Sequence, residues 1–171
     1  MAIVQSKPLK GEFMNRLSFS IMIHAPKDDI WRALISDATY RKWTSVFEDG
    51  SHVVTDWREG SKVLFLTPAG NGMVSRIVAH RQNELLTIQH LGTVMKGVED
   101  TEGTEAKEWA GALENYSLWE ANGASILTVE VDVNDEYQGY FQEKWPKALG
   151  KLKDIAEAEQ WAEVSGTRQS A

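Results

Sequence analysis

Hydrophobic and polar residues alternate from Arg16 onward: Leu17, Phe19, Ile21 and Ile23 point one way, Ser18, Ser20 and His24 the other. A two-residue period of this kind predicts a strand with one buried face, and Met22 breaks its polar side only mildly. Ala25-Pro26 ends the strand, and Pro26 suits the first position of a helix. Asp28 and Asp29 then fall in a first turn, where carboxylates favour the positive end of the helix dipole. Ile30, Trp31, Leu34 and Ile35 recur at helical spacing. A second short helix is predicted over Asp37 to Trp43, with Asp37 as N-cap and Tyr40 and Trp43 facing inward.

Strands separated by turn signals follow. Asp49-Gly50 precedes a strand that runs through Trp57, and Glu59-Gly60 separates it from Lys62 to Leu66. Asn71-Gly72 and Asn122-Gly123 are strong hairpin signals, the second between Trp109–Trp119 and Ile126–Val133. Gln82-Asn83 divides Met73–Val78 from Leu85–Leu91. With the first strand this makes about seven, nearly all able to pair with antiparallel neighbours. The acidic stretch Gly92 to Lys107 carries Glu99, Asp100, Glu102 and Glu105 and reads as a solvated, mobile loop, or alternatively as a lid over a pocket.

The last third is helical. Tyr137, Phe141, Trp145, Leu149, Leu152, Ile155 and Ala156 recur at three- and four-residue steps, and Pro146 predicts a kink or a helix restarting at Trp145. Residues 1–14 read as a loose arm, 15–162 as one domain, and 163–171 as a disordered tail. An antiparallel sheet has one face to bury, and only the C-terminal helix is long enough to cover it. A twisted sheet is wider than one helix, so an apolar cavity is expected between them.

Composition narrows the function classes. The chain has 171 residues, a net charge of -7, seven tryptophans and no cysteine. A chain of this length buries roughly 70% of its unfolded surface and needs no disulfide or metal to hold a core. The absence of cysteine removes thiolate nucleophiles and cysteine-ligated zinc. An acidic balance argues against a nucleic-acid partner, whose footprint is basic. No signal-peptide pattern or membrane-length apolar run is visible, so a cytoplasmic location is expected.

The stretches IMIHAPKDDIWRALISDATYRKWT, TDWREGSKVLF, ENYSLWEANGASILTVEVDV and YFQEKWPKALGKLKDIAE occur in an order that resembles the START-like helix-grip superfamily (SRPBCC). Within it they look most like the branch named for the activator of the heat-shock-protein-90 ATPase. The resemblance covers about residues 16–160 and rests on Ala25-Pro26 with Trp31 and Leu34, on Trp43, and on Trp57 followed by Gly60. It implies an α+β helix-grip fold: a curved antiparallel sheet of about seven strands around a long C-terminal helix, with two short helices after the first strand. Lipid carriers, plant hormone binders, polyketide cyclases and ring-hydroxylase subunits share that fold, so it does not choose a chemistry.

The residues themselves point to one polar position. If Tyr116 and Leu118 face the helix, the two-residue period puts Ala112 and Glu114 beside them. Glu114 then either anchors a ligand hydroxyl, acts as a base, or pairs with a basic group such as Arg76. Tyr116 offers a ring to the core and a hydroxyl to the cavity. His90 shares a face with Leu86 and Ile88. Trp57, Phe141, Trp145 and Leu149 complete the candidate cavity wall. Trp109 and Trp119 read, like Trp57, as pocket walls or core; alternatively, on the face opposite Glu114, they form an exposed aromatic patch suited to a homodimer or another partner.

None of the four histidines has metal-ligand spacing, no serine lies in a nucleophile elbow, and no phosphate-binding glycine pattern occurs, so no catalytic residue, metal or cofactor is assigned. The first expectation is non-catalytic binding of a small hydrophobic or aromatic molecule: a lipid, or a polyketide-like or hormone-like compound. The alternatives are a polyketide cyclase-like or hydrolase-like enzyme using Glu114 and His90, and a co-chaperone-like domain modulating a heat-shock-protein-90 ATPase.

Overall fold

The alternating segments pair into one antiparallel sheet. In the computed structural model, which describes residues 14–168 and side chains as far as residue 158, β1 (Asn15–Ile23) leads into α1 (Lys27–Ile35) and α2 (Asp37–Thr44). Then come β2 (His52–Val54), β3 (Lys62–Leu66), β4 (Gly72–Arg81), β5 (Leu85–Met95), β6 (Val98–Asp100) and α3 (Thr104–Trp109). Strands β7 (Leu113–Ala121) and β8 (Ala124–Val133) precede the long helix α4 (Asp135–Arg168). The order across the sheet is β1-β8-β7-β5-β4-β3-β2, with the short β6 added to β5. The sheet curls around α4, which packs on β1, α1 and α2.

Local chemistry sets these elements. β1 buries alternate residues as its pattern predicts and runs in register with β8, from Asn15 opposite Val133 to Ile23 opposite Ser125. Asn122 and Gly123 both take positive φ, 53° and 79°, as a two-residue hairpin linking β7 and β8 requires. Pro26 is the cap of α1 rather than its first residue, and Ser36 rather than Asp37 precedes α2. The core gathers Ile23, Ile30, Trp43, Leu127, Val129 and Leu152, each at most 1% exposed.

Four expectations are corrected. The strand expected through Trp57 stops at Val54, and Trp57 lies in the following loop with φ 60°. The stretch Gly92 to Lys107 is not a mobile loop: β5 continues to Met95, turns through Lys96-Gly97 and returns as β6, and α3 follows. Gly92 makes this possible, because a Cβ there would stand 2.1 Å from the Asp100 carbonyl oxygen. The Asp100 carboxylate then accepts the backbone N–H groups of Gly103 and Glu102, which hold its pKa below the usual carboxylate range.

The other two corrections concern α4. It runs continuously through Pro146, so of the two outcomes expected there the restart at Trp145 does not occur. It also extends to Arg168, past the expected start of a disordered tail, because the Ala- and Glu-rich run from Ala156 to Glu163 favours propagation. The expected N-terminal arm, Met14 apart, and residues 169–171 lie outside the described residues.

Candidate functional site

Between the sheet and α4 lies a cavity of about 260 Å³. Its walls are mainly aromatic. Tyr40 and Trp43 come from α2, Phe47 from the turn after it, Phe65 from β3, Trp109 from the end of α3, and Phe141 and Trp145 from α4. Trp145 organises this wall, with ring centroids 5.1 Å from Phe47, 6.1 Å from Trp43 and 6.2 Å from Tyr116. Tyr140 also lines the cavity while 41% exposed, and its hydroxyl donates to the Phe47 carbonyl at 3.0 Å.

One end of the cavity is polar, and sheet register builds it. Ile88 pairs with Glu114 and Leu86 with Tyr116 across β5 and β7, so His90 stands diagonally from Glu114 on the same face. His90 Nε2 lies 3.5 Å from Glu114 Oε2. The Tyr116 hydroxyl donates to Glu114 Oε1. On the far side of the imidazole, Ser75 of β4 sits opposite His90, and its Oγ is 2.8 Å from Nδ1. Phe65 meets the same ring edge-on at 6.0 Å. His90 and Tyr116 are buried, Ser75 has no exposed surface, and the Glu114 side chain keeps 16%.

The electrostatics keep the two cavity phenols neutral. Burial, then the Glu114 charge, push the Tyr116 hydroxyl well above its usual pKa, and the same two causes act on Tyr40. Both phenols therefore keep their protons. Asp132, also at the cavity margin, is bound by Arg16 at 2.8 Å and by the Leu113 N–H at 2.9 Å. Burial pushes the Asp132 carboxyl up, but these hydrogen bonds and the Arg16 charge outweigh it and hold its pKa low. Among the described residues no group of three or more His, Asp or Glu side chains is placed to hold a metal ion.

Of the residues expected at the site, His90, Glu114, Tyr116, Phe141 and Trp145 come together around the cavity. Arg76 does not: the two-residue period turns it to the outer face, where it donates to Gln89 Oε1 at 3.0 Å, so the partners of Glu114 are His90 and Tyr116. Leu149 lies in the core behind the cavity. Trp57 packs against Tyr40 at 6.4 Å, and its carbonyl accepts from His80 Nδ1 at 2.6 Å, outside the cavity lining.

The alternative of a Trp109 and Trp119 patch does not form. Trp109 ends a helix and packs on Tyr137 at 5.2 Å. Trp119, 51% exposed, instead shares an outer row with Ile126 and with Met22, 49% exposed. Sequence reasoning missed Phe65 as a cavity residue and Ser75 as the partner of His90, and it gave Tyr40 and Trp43 to the core alone. The spacing of Tyr40, Trp43 and Phe47 is the one signal that marks an aromatic wall in advance.

A curled antiparallel sheet closed by a C-terminal helix, with two short helices after the first strand and a cavity between the layers, is the START-like helix-grip fold. Solved structures share it. The Aha1 dimer from Colwellia psychrerythraea matches with a TM-score of 0.65 at 20% identity, covering 84% of this chain and 97% of that one. Protein MLL2253 from Mesorhizobium loti matches with a TM-score of 0.65 at 14% identity, covering 84% and 98%. CalU16 from Micromonospora echinospora matches with a TM-score of 0.59 at 17% identity, covering 87% and 80%. No protein-family model and no curated protein matches the chain by sequence. Among the described residues no helix is long and apolar enough to cross a membrane.

Proposed function

We propose that this domain binds a small, largely apolar molecule in the cavity between the sheet and α4. The observation that carries the reading is the cavity itself: about 260 Å³, walled by aromatic side chains, with polar side chains converging at one end. A void of about 150 Å³ suffices for benzene, so a molecule of two fused rings is a reasonable occupant. Affinity would come from apolar burial at about 25 cal/mol per Å², with orientation from Glu114 and its neighbours. Native mass spectrometry of the purified protein, followed by organic extraction, tests this. Carry-over of an apolar compound is expected. An apoprotein mass that persists after incubation with an apolar compound library would count against it.

The closeness of His90 Nε2 to Glu114 Oε2 favours a second reading, in which the pair takes a proton from a bound substrate in a cyclase-like reaction. Glu114→Gln separates the two. Under the catalytic reading turnover is lost while binding persists; under the carrier reading no turnover exists to lose.

A further inference from the structure

The polar end of the cavity is built to accept, and that limits the ligand. Ser75, His90 and Glu114 stand in the order of a hydrolytic triad, but it is the carboxylate and not the serine that faces the cavity. The Ser75 hydroxyl is wholly buried behind the imidazole and does not line the cavity. It cannot meet a substrate, so its role is to fix the ring.

A carboxylate beside Nε2 draws the ring proton to that nitrogen, leaving Nδ1 to accept from Ser75. Glu114 thus accepts from the Tyr116 hydroxyl at Oε1, while His90 Nε2 stands 3.5 Å from Oε2. A carboxylate offers about four lone-pair directions, so at least half of its accepting capacity is left. Glu114 lines the cavity and keeps 16% of its side-chain surface, against 3% for Tyr116 and 6% for His90 as whole residues. Of the three, it is the group most open to a ligand.

We infer that the ligand is a neutral aromatic or polycyclic hydroxyl compound whose O–H donates to Glu114. The inference rests on the cavity-binding reading above. A carbonyl or ether oxygen placed against Glu114 would meet lone pairs with lone pairs. An anionic head group such as a fatty-acid carboxylate would bring a second carboxylate against Glu114. The chain therefore selects against fatty acids.

Equilibrium dialysis of the full chain at neutral pH against three probes of one ring size tests this: 2-naphthol, 2-methoxynaphthalene and 2-naphthoate. A hydrogen bond to a charged group is worth about tenfold or more in affinity, so 2-naphthol should bind at least that much tighter than the methyl ether. Naphthoate should bind weakest. Glu114→Gln should shrink the naphthol preference to about threefold or less and improve naphthoate binding. Equal binding of 2-naphthol and its ether, or tightest binding of naphthoate, overturns the donor inference and leaves the cavity reading intact. Failure of all three to bind overturns both. The wild-type ranking decides the matter even if the Gln variant does not fold.

Discussion

Ser75 and His90 face each other across β4 and β5, joined by a 2.8 Å hydrogen bond between Oγ and Nδ1, with the serine entirely out of solvent. The bond sits beside a shift of register between Val74 and Ser75, where Val74 pairs with Gly92 but Ser75 with His90, leaving Leu91 unpaired. A bulge of this kind bends a strand and re-aims its side chains.

Removing the serine hydroxyl leaves the buried Nδ1 without its partner. Ser75→Ala is expected to cost about 1–3 kcal/mol, the usual penalty for an orphaned buried polar group. Chemical denaturation of the variant against wild type checks it, and a change below a few tenths would show that Nδ1 is satisfied otherwise.

The two cavity phenols make the protein sensitive to base. Their folded pKa values are raised, so the folded state holds protons that the unfolded chain releases. Their contribution is complete below the ordinary tyrosine value of about 10 and is lost as pH rises beyond it. Thermal melts between pH 8 and 11 should fall steeply for wild type and less steeply for Tyr116→Phe and Tyr40→Phe.

At the acid end the sign reverses. The lowered pKa of Asp132 means that the Arg16 pair and the Leu113 N–H bond stabilise the fold fully above the ordinary aspartate value of about 3.9. That contribution disappears as pH falls through the lowered pKa. Asp132→Asn should be less stable at neutral pH and should converge on wild type near pH 2, as followed by circular dichroism.

Gly92 supports the cavity wall from a distance. Gly92→Ala would drive a Cβ to 2.1 Å from the Asp100 carbonyl, a backbone atom that has to move. Overpacking of this kind costs about 1–3 kcal/mol. Hydrogen exchange should quicken over Val98–Trp109, and ligand binding should weaken because Trp109 lines the cavity. Unchanged exchange in that segment would contradict the packing described.

What the sequence discloses depends on how local each feature is. The alternation of β1, the Asn122-Gly123 turn and the shared face of Glu114, Tyr116 and Leu118 follow from neighbours a few residues apart, and all are present. Ser75 was illegible because its meeting with His90 depends on a bulge in a long-range pairing. Trp109 was misplaced on a strand because α3 is six residues long and sits in an acidic stretch without a clear period. Arg76 was offered to Glu114 on charge alone, although the face it occupies on β4 forbids the contact.

Pro146 has a mechanical consequence. Lacking an N–H, it leaves the Gln142 carbonyl without a helical donor, so α4 is most easily flexed there. The turns on the N-terminal side of that joint carry Tyr140 and Phe141, which line the cavity, and they are tethered sideways by the Tyr140 hydroxyl on Phe47 and by the Tyr137 ring on Trp109. On the cavity-binding proposal, a molecule entering on this side would part these side chains. The compliance it would need is concentrated at a single proline, while the buried turns beyond it, at Leu149 and Leu152, stay clamped to the core.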